Sequence, residues 1–144
     1  MTKQLYWEDV QEDQAIFTLV KKATTQQLVK YAGASGDFYQ IHYDKDFAVS
    51  TGLPGVIIHG ALKNAFLGQL MTDWIGENGT LKKLSVQYRG MDIPEDILTC
   101  NGRVIRKYAE GNEYLVDCEI QLVNSKGERT TPGSATVVLP TRGS

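Results

Sequence analysis

The chain has 144 residues, 42% apolar and 22% charged, and a formal net charge of −2. That length suffices for one domain with its own core, and the charge gives no electrostatic footprint for nucleic acid. The first residues, MTKQLYWEDVQED, lack the apolar stretch of a signal peptide, and no apolar run nears the ~20 residues of a membrane span. A cytoplasmic protein folding as one unit over residues 1–144, with no membrane partner, is therefore expected.

The first predicted element is a strand over AIFTLV, residues 15–20. Thr24 and Gln27 then form a capping-box pattern that opens a helix through Leu28, Tyr31 and Ala32, ending near Gly33 to Gly36. Asp44 can cap a short helix over Lys45 to Ser50, which the glycines and proline of TGLPG break. From Gly60 to Ile75, GALKNAFLGQLMTDWI has helical length, and its apolar residues leave no wide polar face, so it belongs inside the molecule. Gly76 and the ENG turn end it.

Beyond that turn the period changes to two. Leu84, Val86 and Tyr88 alternate with Ser85, Gln87 and Arg89; strands continue over residues 97–106 and 114–122; and after NSKG a last run covers Thr130 to Leu139. Consecutive strands joined by short turns imply an antiparallel sheet, and one long apolar helix needs that sheet to wrap it. The expected class is α+β: a hot-dog fold, a curved antiparallel sheet around a buried helix at about residues 60–75. Cys100 and Cys118 are too few and too far apart for a disulfide framework or a zinc site, and both read as buried thiols.

Chemistry concentrates in SGDFYQIHYDKDFA, residues 35–48. Asp37 and His42 are five residues apart, a spacing that no regular element brings together, so the chain between them must loop back. Neither a phosphate-cradling pattern nor a G-x-S-x-G elbow is present. A carboxylate and an imidazole sharing one water molecule suit addition or removal of water across a double bond next to a carbonyl. The displaced electron density then needs a donor, and the Gly60 amide at the start of the apolar helix is the obvious one.

These residues resemble the MaoC-like hydratases, whose pattern reads roughly S-G-D-x-N-P-I-H-x-D, then F-A, then a turn leading to I-x-H-G. Here stand Ser35-Gly36-Asp37-Phe38-Tyr39-Gln40-Ile41-His42-Tyr43-Asp44, Phe47-Ala48 and Ile57-Ile58-His59-Gly60. The resemblance extends to YWEDV near the start and GSATVVLP near the end. It implies a hydro-lyase acting on a trans-2-enoyl thioester to give an (R)-3-hydroxyacyl thioester, with Asp37 and His42 catalytic and the Gly60 amide in the oxyanion hole. It also implies no metal and no redox cofactor, with coenzyme A or an acyl carrier arriving as part of the substrate. The implied assembly is a homodimer or higher oligomer, or a heteromer, with the site near the subunit interface.

One departure stands out: Tyr39-Gln40 replaces the family's Asn-Pro, which removes a stiffening proline and makes Tyr39 a candidate substrate-pocket residue. His59 reads as a brace for its loop, Asp44 as a cap, Asp46 as a solvated charge and Ser35 as a turn residue. Lys82, Lys83, Arg89 and Arg103 read as a solvated face. Two further readings of the whole remain, a non-catalytic partner subunit of a heteromeric dehydratase and a hot-dog thioesterase.

Overall fold

The structure, a computed structural model, describes residues 3–143. The elements are β1 (Ala15–Lys21), α1 (Thr25–Ser35), α2 (Lys45–Ser50), α3 (Gly60–Ile75), β2 (Thr80–Val86), β3 (Leu98–Glu110), β4 (Glu113–Val123) and β5 (Arg129–Val138), with a 3-10 turn over Gln40–His42. The strands form one antiparallel sheet in the order β1-β3-β4-β5-β2. Each of the four pairings carries a register shift, for example between Val104 and Arg106 where β3 meets β4. Such bulges bend a strand and raise its twist, which is how a flat ladder comes to curve around a helix.

The curved sheet holds α3. Leu67, Leu70 and Met71 are sealed against Cys100, Val104, Val116, Ile120 and Val137 from the sheet. Each such side chain contributes roughly 1.5–3 kcal/mol of burial. This is the hot-dog fold expected from the sequence. The helix is not enclosed all round, however: Ala61, Ala65 and Thr72 lie on an open stripe at helical spacing. The two cysteines are buried as expected, and desolvation pushes both thiols up to about 12, which makes them inert.

Local signals set the helix bounds. Thr24 accepts a hydrogen bond from the Gln27 amide, and Gly36 at φ 77° closes α1 in a left-handed conformation that favours glycine. Asp44 accepts from the Phe47 amide at 3.1 Å and caps α2. The expected strand through Tyr88 stops at Val86 instead. The Gln87 amide still reaches the Pro132 carbonyl at 2.9 Å, and the Arg89 and Gly90 amides the Thr130 carbonyl at 2.9 and 3.1 Å, but proline has no N–H to return, so the regular ladder ends and the chain leaves the sheet after Gly90. At the other extreme β3 runs on to Glu110, past the expected end at residue 106: Arg106 is exposed and Lys107 reaches back to the Trp7 and Val10 carbonyls, and these charged residues break the hydrophobic pattern by which the strand could be read.

Candidate active site

The segment between α1 and α3 crosses outside the sheet and carries Asp37 and His42. Two contacts to the Ile57 backbone strap it to the approach of α3: the Ile57 amide donates to the Ile41 carbonyl at 3.0 Å, and the side-chain Nδ1 of His42 donates to the Ile57 carbonyl at 2.8 Å. A carbonyl only accepts, so Nδ1 holds the proton and Nε2 is the bare, basic nitrogen. Ser35 shapes the turn before it, donating to the Tyr31 carbonyl and accepting from the Asp37 amide.

The fold thus brings together the pair that no regular element could. His42 is buried and Asp37 is half-exposed, with Asp37 Oδ2 3.9 Å from His42 Nε2. That gap is too wide for a direct hydrogen bond and fits one water molecule contacting both. The first turn of α3 lies beside them. Its N-cap, His59, provides no side-chain cap, and among the described residues no protein group accepts the Gly60 amide. A free amide at a helix start is a donor reinforced by the helix dipole. Gly60 is also where a ring comes very close: a Cβ built there would lie 3.1 Å from Cε1 and Cζ of Tyr88.

A cavity of about 330 Å³ opens against His42, walled by Val29, Tyr43, Pro54, Val56 and Ile93. Tyr39 does not line it; the ring stands 56% exposed and presents its edge to His42 at 6.2 Å. Lys82 and Arg103 pair with acidic neighbours on the outer face of the sheet, Glu113 for the first, Asp13 and Glu119 for the second.

His59, expected to brace its loop, does contact the Asp37 carbonyl through Nε2 at 3.3 Å, but sequence reasoning did not foresee its ring stack and missed Lys63. His59 is sealed and stacks on His42 with ring centroids 3.8 Å apart. Lys63, on the apolar helix one turn past Gly60, is also buried, donating to Asp92 Oδ2 and the Gly90 carbonyl at 3.0 Å each. Thr130 donates to the same Asp92 oxygen at 2.5 Å. One signal was available: a lysine inside an otherwise apolar helix needs an acidic partner. Asp37, His42 and His59 each offer a metal-ligating atom within 4.8 Å of the others. The His42 and His59 rings are stacked 21° from parallel, whereas tetrahedral coordination needs the lone pairs of its ligands to converge on one point.

A family model described as MaoC like domain matches residues 9–117. The (R)-specific enoyl-CoA hydratase of Rhodospirillum rubrum is 26% identical over 141 residues, 96% of this chain and 94% of that protein. The fatty acid synthase subunit beta of Aspergillus oryzae is 33% identical over 100 residues, 60% of this chain but only 5% of that much longer protein. Among solved structures, the unliganded R-hydratase PhaJ1 from Pseudomonas aeruginosa superposes with a TM-score of 0.87 at 19% identity, covering 98% of this chain and 89% of that one.

Proposed function

The chain belongs to the MaoC-like domain family, a family of hydratases and dehydratases, and from that premise we propose that it adds water to, or removes it from, a trans-2-enoyl thioester, the hydrated product being the (R)-3-hydroxyacyl thioester. The observation that carries this reading is the 3.9 Å separation of Asp37 Oδ2 and His42 Nε2 beside the unpartnered Gly60 amide.

In the hydration direction a water molecule sits between the two side chains. His42 Nε2 takes one of its protons as its oxygen bonds to C3 of the enoyl group, and Asp37 orients it by accepting the other hydrogen. The electron pair of the double bond moves through C2 onto the thioester oxygen, where the Gly60 amide meets it. One such donor is worth roughly 3–4 kcal/mol of barrier. C2 then takes a proton from the Asp37–His42 pair, so that one water has been added across the bond. Dehydration runs the same steps backwards.

No metal or redox cofactor enters this scheme. The apolar cavity beside His42 suits the acyl chain, and coenzyme A or an acyl carrier is the thiol partner. A dimeric assembly, with a second copy or a related chain beside the exposed Phe38 and Tyr39, belongs to the same proposal.

The test is to follow the conjugated-thioester absorbance with enoyl substrates of several chain lengths, on both coenzyme A and carrier-protein thioesters. Turnover supports the reading. A well-folded protein inert on every substrate favours a non-catalytic partner subunit, and release of free thiol without hydration favours a thioesterase.

A further inference from the structure

His59 stands between the loop that carries Asp37 and the helix that offers the Gly60 amide. Its side chain is fully enclosed. One face stacks on His42 with the planes 21° from parallel, and Tyr31 of α1 meets the ring at 4.8 Å. Nε2 lies 3.3 Å from the Asp37 carbonyl, and since a carbonyl only accepts, Nε2 is the protonated nitrogen. Nδ1 is then a bare acceptor, buried and without a donor among the described residues. The backbone carbonyl of the same residue accepts the Leu62 and Lys63 amides at 3.1 and 3.2 Å. A single residue therefore touches the loop of Asp37, the ring of His42 and the first turn of α3.

We propose that His59 is the positioning residue of the Asp37–His42 pair: a neutral imidazole, protonated on Nε2, whose face supports His42 in both of its charge states. The proposal rests on the hydration reading for its role in turnover, but not for its ring chemistry. Two imidazolium rings 3.8 Å apart would repel each other, so the stack accommodates one positive charge. A neutral π face attracts a cation, which lets His42 hold the proton it takes from water.

The titratable groups facing His59 are Tyr31 from α1, Asp37 from the loop and His42 from the 3-10 turn, with Tyr88 over the neighbouring Gly60. Lys63, next along α3, is committed to Asp92 and Gly90. Burial first, and then the charge on His42, hold the His59 imidazole below the ordinary histidine range, while the Asp37 carbonyl and carboxylate pull weakly the other way.

The chain contains two histidines in all, so imidazole nitrogen NMR of the ¹⁵N-labelled protein resolves both rings without needing any turnover. The expected spectrum shows opposite tautomers, His42 as Nδ1–H and His59 as Nε2–H. On acidification His59 stays neutral through the ordinary histidine range. Observing His59 as Nδ1–H, or protonated in the ordinary histidine range, overturns the proposal, whatever the enzyme assay shows. Two variants extend the test. His59→Phe keeps a face to stack on and loses the donor; His59→Gln keeps a donor and loses the face. In folded protein both should lower kcat about 100-fold, the order of loss expected from misplaced catalytic groups, with KM little changed. The His42 titration midpoint should move in the Gln variant and stay close to wild type in the Phe variant. Unchanged kcat and an unchanged His42 midpoint in both would also overturn it.

Discussion

His42 Nδ1 lies 2.8 Å from the Ile57 carbonyl oxygen, and this one bond decides which nitrogen faces Asp37. With the proton held on Nδ1, the basic Nε2 is turned toward the carboxylate, and the water between them meets an acceptor on each side. The same strap ties the loop of the pair to the approach of α3, three residues before the Gly60 amide.

Gly60 and Tyr88 form a close contact whose removal should be non-additive. A Cβ at residue 60 would sit 3.1 Å from the Tyr88 ring, tight enough to strain the packing, although Tyr88 is 53% exposed and can yield in part. Gly60→Ala is expected to cost roughly 1–3 kcal/mol. In a Tyr88→Ala background the same change should cost little, since the ring it strikes is gone. Urea unfolding of the four proteins measures this directly, and equal costs in both backgrounds would show that the ring does not set the requirement for glycine.

The Lys63–Asp92 pair should behave as a buried charge pair. Both side chains are almost wholly inaccessible, at 3% and 0%. Removing one partner leaves a charge with too little to compensate it, so Lys63→Met or Asp92→Leu alone should destabilise by about 3–5 kcal/mol. The double variant should cost clearly less than the sum of the two. Additive losses would mean that the two groups do not stabilise one another.

The depressed His59 has a signature in stability against pH. Its folded-state pKa lies below the ordinary 6.5. Above that value the ring is neutral in both folded and unfolded chains and contributes no slope. Below it the unfolded chain takes up a proton that the folded protein refuses, so stability falls as pH drops, by at most about 1.4 kcal/mol per pH unit from this one group. Urea midpoints at pH 7.5 and 5.5 should differ more for the wild type than for His59→Phe. An identical difference in the two proteins would show that His59 is not held neutral.

Much of the fold was legible because its signals are local. Thr24, Asp44, Gly36 and Gly76 mark helix ends within a few residues of themselves, and α2 and α3 fall over the residues those signals enclose. The strand end at Val86 was not legible, since it depends on Pro132 across the ladder. Lys63 finds its acid 29 residues away, and His59 meets the Asp37 carbonyl across 22 residues. Such contacts exist only once the loop of Asp37 has been folded against α3. The sequence pattern singled out Asp37, His42 and Gly60, but neither the tautomer of His42 nor the ring it stacks on.

The most direct measurement is hydration of a crotonyl thioester of coenzyme A by the wild type and by Asp37→Asn and His42→Ala, each checked by circular dichroism for an intact fold, with chiral analysis of the product. The expected result is turnover to the (R)-3-hydroxy product by the wild type and a loss of roughly 10²–10⁴-fold in each variant, the range for a missing general acid or base. Full activity in both folded variants would contradict the assignment.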